Sequence, residues 1–128
     1  MYWSGRGITW ADTNLVVLYG HKEDSTLYRW RYITVNDNFS TIKDTVVVWG
    51  HLNKTGVFAL DYDPINKEFL LLGTDRTNNY ILFSVSSELE YDNSYYNIPD
   101  STLGIAVAGN SKIYLSLPDR RIEEFTRP

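Results

Sequence analysis

The chain has no cysteine, which excludes a disulfide framework, a thiolate zinc site and a cysteine nucleophile. It also lacks any apolar run approaching the roughly 18 residues of a membrane-spanning helix. The segment Met1–Trp10 shows neither the charged nor the apolar region of a secretory signal. Basic residues are in the minority, 12 against 16 acidic, for a net charge of −4. No broad phosphate-binding surface is therefore expected, and nucleic acid is not an expected partner. Histidine is scarce: His21 and His51 are the only two, too few for catalytic zinc without carboxylate help. Location stays open, although the lack of cysteine and of a signal-like segment favours an intracellular setting.

What is present reads as strand and turn. The runs Leu15–Tyr19, Thr45–Trp49, Phe69–Leu72 and Tyr80–Phe83 are short, apolar and rich in β-branched or aromatic residues. Polar turn clusters separate them: Ala11–Asn14, Lys22–Ser25, Asp61–Lys67, Thr74–Asn79 and Gly109–Ser111. No stretch carries an apolar stripe of helical period and length, and Ser86–Tyr91 has room for one helical turn at most. The 128 residues thus predict a single all-β domain, long enough to bury a core without staples. Leu15–Tyr19 and Phe69–Leu72 do not alternate apolar with polar, so both faces of those strands are expected to be covered.

The chain repeats itself. Segments opening at Gly7, Gly56 and Gly104 each run glycine, apolar strand, polar turn, second strand, turn and third strand, at spacings of 49 and 48 residues. A fourth strand falls in each gap, at Thr45–Trp49 and Tyr95–Ile98, with Trp49 and Asn97 both seven residues before the next glycine. Four short antiparallel strands per 48 residues predict β-propeller blades, at about 7–55, 56–103 and 104–128. The alternative is a β-sandwich.

The second repeat and the residues just before it resemble a WD-repeat. Gly50-His51 stands where that family opens with Gly-His, Asp61–Lys67 matches its polar turn, and Gly73-Thr74-Asp75 its Gly-Ser-x-Asp region. Phe83-Ser84 replaces the closing Trp-Asp. The resemblance implies structural roles for His51 and Asp75, and the repeat assigns structural roles to its opening glycines, Gly7, Gly56 and Gly104. The third repeat resembles NHL-type blades and those of fungal fucose-binding lectins. For the latter, Glu124 fits the acidic sugar-contacting position, but the second strands lack the matching arginine. Propellers close with four to eight blades, and three are visible here. The ring is expected to be completed by a second copy, as a homodimer, or by a missing part of a larger chain.

Little in the chain points to catalysis. Asp61, Asp63 and Asn66 precede or follow Pro64 in a turn and lack the glutamate of a calcium loop. Glu123 and Glu124 are adjacent and on a strand point to opposite faces. Nucleophile-elbow, P-loop and dinucleotide motifs do not occur. No enzyme, cofactor or metal site is expected. Asn38-Phe39-Ser40 and Asn53-Lys54-Thr55 fit the glycosylation pattern. Aromatics, 15% of the chain, suggest binding instead. In Leu27–Tyr32, Leu27, Arg29 and Arg31 share one face while Tyr28, Trp30 and Tyr32 share the other. Tyr28 and Trp30, with Arg29 beside them, form the candidate ligand surface, with Trp49 and Tyr95-Tyr96 as secondary candidates. The competing assignment packs that aromatic face against a neighbouring sheet. His21 is expected to be exposed. The function expected is a non-enzymatic binding or assembly module with a protein partner or itself. The alternative is a lectin that takes a glycan between blades.

Overall fold

The computed structural model describes residues 2–35, 38–95 and 98–127. The chain is all-β, as expected, in three antiparallel sheets that follow one another along the sequence. Sheet A holds β1 (Trp3–Ala11), β2 (Asn14–His21), β3 (Leu27–Thr34) and β4 (Ser40–Val48). Sheet B holds β5 (Leu52–Asp63), β6 (Glu68–Asp75), β7 (Tyr80–Ser86) and β8 (Tyr91–Tyr95). Sheet C holds β9 (Gly104–Val107), β10 (Ile113–Ser116) and β11 (Ile122–Phe125). Spatial order equals sequence order in every sheet. Each pair is therefore a hairpin, which the short polar connections dictate. A short 3-10 turn, Pro118–Arg120, joins β10 to β11.

The sheets stack face to face with B in the middle. Period-two alternation divides sheet B's side chains cleanly. Phe69, Leu71, Ile81, Phe83 and Val85 point to sheet A and meet Val16, Leu18, Tyr28 and Trp30. Leu70, Leu72 and Leu82 point to sheet C and meet Ile113 and Leu115. Every residue of β6 is buried, so the unalternating run at Phe69–Leu72 is covered on both faces. The parallel expectation for Leu15–Tyr19 needs correcting. Val16 and Leu18 are buried against sheet B, but Leu15, Val17 and Tyr19 are only half-buried because, among the described residues, no sheet packs on that side of sheet A.

Two further expectations shift. The fourth strand of sheet B lies at Tyr91–Tyr95, ahead of the expected Tyr95–Ile98; Tyr96 and Asn97 lie outside the described residues. Ser86–Tyr91 makes no helical turn but a tight reversal, in which Leu89 adopts φ 65° and its N–H donates to the Ser86 carbonyl at 2.8 Å.

The first strands of the sheets run side by side, β1 against β5 and β5 against β9. Asp61, on the open edge of β5, ties the three together. One carboxylate oxygen accepts from Thr9 Oγ1 of β1 at 2.9 Å, and the other accepts from the Val107 N–H of β9 at 2.7 Å.

Candidate functional site

The residues offered as a ligand set do not converge. Tyr28, Trp30 and Trp49 are 2%, 0% and 4% exposed. The indole of Trp30 lies 4.7 Å from the Phe69 ring and 5.7 Å from Trp49, and Trp49 contacts Phe83 at 5.4 Å. This aromatic face is the core between sheets A and B, which corrects its assignment as a ligand surface. The large rings fill the gap between two stacked sheets, where burying them is most favourable. The face division itself is as expected: Arg29 and Arg31 point away from that core. Glu124 stands on sheet C, half exposed, 3.5 Å from Lys112. No side-chain placement is described for Tyr95 or Tyr96.

The residues assigned structural roles occupy crowded positions. Gly56 has φ +53°, and a Cβ there would lie 1.8 Å from Tyr28 Oη. That hydroxyl accepts the Val57 N–H at 3.2 Å inside the core. At Gly7 a Cβ would lie 2.1 Å from Leu60 Cδ2, so sheet B's leucine occupies the space a side chain would take. Gly104 meets only the Ser116 hydroxyl. Asp75 folds the β6–β7 turn, accepting from the N–H groups of Thr77 and Asn79 at 2.9 Å each and from Thr77 Oγ1. His51 is half-buried with its ring edge-on to Phe83 at 5.2 Å. Burial first, and then the Arg76 guanidinium, push its imidazole below the ordinary value, against the opposing pull of Asp75. With Gly50, Asp75, Arg76 and Thr77 it lines a shallow cleft of about 340 Å³.

His21 is half-buried, correcting its expected exposure. Its ring stacks on Tyr2 at 5.6 Å, and Nδ1 accepts the N–H groups of Glu23 and Asp24. Asn53 of the second glycosylation triplet holds its amide inward, with Nδ2 donating to Asn78 and Oδ1 accepting from Thr74. Among the described residues no three histidine, aspartate or glutamate side chains gather to hold a metal ion, and no helix is long and apolar enough to cross a membrane.

Asp63 serves the turn. It is fully buried and accepts from the Ile65 and Asn66 N–H groups, Asn66 Nδ2 and Ser111 Oγ. Arg127 approaches it and bonds to buried Glu68. Burial pushes the Asp63 carboxyl up, but the donors from Ser111, Asn66 and Ile65 outweigh it and hold it below 3.8. Asp75 is held below 3.8 in the same way, burial being outweighed by Asn79 and Thr77. A depressed folded value means the stabilisation is present above the unfolded value and is lost as pH falls through the folded one. Urea titrations should therefore show a shallow loss of stability as pH falls below about 6.5, because His51 is also held low, and a steeper loss below 3.8. Each carboxylate adds at most about 1.4 kcal/mol per pH unit to that fall. Asp63→Asn should make the decline shallower; an unchanged slope would remove Asp63 from this role.

The surface that sequence reasoning missed is the open face of sheet A. Ile8, Trp10, Val46 and Val48 are all at least half exposed there, Trp10 at 56% and Val48 at 66%. They share the face with half-buried Leu15, Val17 and Tyr19. A charged group crosses it: Arg29 grips Asp44 through two bonds of 2.7 and 2.9 Å, and Arg31 reaches the same carboxylate at 3.4 Å. The guanidiniums lie over Trp3 and Tyr19 at 5.4 and 5.5 Å. Sheet C has an open face as well, with a hollow of about 310 Å³ over Gly104, Ala106, Tyr114, Ser116 and Ile122. The available signal was Ile8-Thr9-Trp10-Ala11, where large residues alternate with small ones on a strand whose small side faces the core. No protein-family model matches the chain, and no curated protein matches it significantly.

Proposed function

We propose that the chain is a non-catalytic interaction and assembly module of the β-propeller type, its three sheets acting as successive blades of a larger ring. One observation carries this reading. Sheet B, covered on both faces, is apolar on both, and sheets A and C keep apolar residues on faces that no described residue covers. Monomeric soluble proteins rarely leave so many large apolar side chains open on one face, and Ile8, Trp10, Val46 and Val48 are each at least half exposed. The hairpin order of each sheet and the side-by-side first strands support the blade assignment. Asp61, Asp63 and Asp75 are committed to backbone and hydroxyl donors, which supports a binding role over catalysis. The lectin alternative draws on Tyr28, Trp30 and Trp49 and on Glu124; the three aromatics lie in the core, which weighs against it, while Glu124 stays exposed.

Light scattering after size exclusion, combined with binding of an apolar-surface dye, tests the reading. The 14.8 kDa chain should self-associate or bind the dye, and Val46→Lys with Val48→Lys should diminish whichever is seen. A monodisperse monomer that ignores the dye would sink the proposal, and specific monosaccharide binding on a glycan array would restore the lectin.

A further inference from the structure

Building on that reading, we propose that the open faces are filled by a second copy of this chain. The open face of sheet A in one copy seats on the open face of sheet C in the other, and the reverse contact forms at the same time about a two-fold axis. The contacts inside one chain set the pattern. Each sheet has a leading face, toward the sheet that follows it, and a trailing face, toward the one before. On the first strands the leading faces carry small residues: Gly7 and Ala11 in β1, Ala59 in β5, Gly104 and Ala106 in β9. The trailing faces carry large ones: Leu60 and Tyr62 in β5, Ile105 and Val107 in β9.

Both internal interfaces join large to small. Leu60 fills the space beside Gly7, and Ala59 lies in the layer that holds Ile105 and Val107. Two half-interfaces of the same kind are left over. Ile8 and Trp10 are the large residues of sheet A's trailing face, and both are more than half exposed. Gly104 and Ala106 are the small residues of sheet C's leading face and line the 310 Å³ hollow. A second copy brings these together and repeats the contact the chain already makes twice.

Charge agrees with this pairing. Sheet A stacks so that β3 lies over β6, as Trp30 does on Phe69. The same offset carries β11 of sheet C over β2 of the next copy, onto which the Arg31 guanidinium reaches, 5.5 Å over the Tyr19 ring. Glu124 then reaches the face that bears Arg29 and Arg31, which together outnumber Asp44. Its present partner Lys112 is 3.5 Å away with both side chains well exposed, a weak attachment that is readily exchanged. A closed pair of this kind has the symmetry most soluble homo-oligomers adopt.

The test is a charge-swap complementation followed by sedimentation. Glu124→Arg and Arg31→Glu alter exposed or half-exposed positions, and circular dichroism checks that each variant stays folded. Each alone should raise the dimer dissociation constant by at least about tenfold, because both of its contacts then set like charges together. Mixing the two variants should restore wild-type affinity, since every contact in the mixed dimer again joins opposite charges. Ala106→Arg, which fills the hollow, should abolish the dimer. If the wild type self-associates but ignores all three substitutions, this docking is wrong while an assembly role stands. A wild type that stays monomeric at every concentration also overturns the proposal, and dye binding then decides the broader reading alone.

Discussion

Trp30→Ala is expected to bring the chain close to unfolding at room temperature. The side chain is fully buried between sheets A and B and touches Trp49 and Phe69. Removing a large aromatic from such a site costs about 3–5 kcal/mol, through lost transfer energy and an unfilled cavity. A single domain has only about 5–15 kcal/mol in total. Trp30→Phe should cost much less, because a ring still fills most of the gap. It also loses no hydrogen bond, since the indole N–H has no partner among the described residues. Urea unfolding separates the two: the alanine variant should show a large drop in midpoint, the phenylalanine variant a small one. Equal and small losses would mean the sheet A–sheet B interface is not the main core.

Gly56→Ala should be nearly as damaging, for a different reason. The backbone there is left-handed, which L-residues tolerate poorly, and the new methyl would collide with the Tyr28 hydroxyl at 1.8 Å. A loss of about 3 kcal/mol is expected from the combined strain and clash. Tyr28→Phe alone should cost about 1–2 kcal/mol, by leaving the buried Val57 N–H without its acceptor. In the double variant the two losses should not add, because deleting the hydroxyl removes the atom the methyl strikes. A double-mutant cycle measures this directly. Strict additivity would place the cost of Gly56→Ala in backbone conformation alone.

Much of this architecture was legible in the residues themselves. Runs such as Phe69–Leu72 are too short and too evenly apolar for anything but a strand covered on both sides, and β6 is such a strand. Alternation in Leu27–Tyr32 assigned the two faces of β3 correctly. Alternation cannot say which face meets a neighbouring sheet, so by itself it leaves the aromatic side of β3 open between ligand surface and packing, and that side is core. Asp61 was equally out of reach. Its partners Thr9 and Val107 lie 52 and 46 residues away, and nothing local marks a carboxylate that will bridge three sheets. The open face of sheet A was hidden because Ile8 and Trp10 look like ordinary strand residues until the position of sheet B is known.

The strictly sequential order of strands has a consequence in time. Every pairing closes a short hairpin, so little chain entropy is lost before each sheet begins to form. Sheets that touch only their neighbours gain stability step by step, as linear repeat arrays do. The middle sheet is the one that gains from both sides. Sheet B is therefore the last to open and the first to consolidate, while β4 and β11 at the outer edges exchange with solvent early and often. A single copy on its own should therefore open from sheets A and C inward.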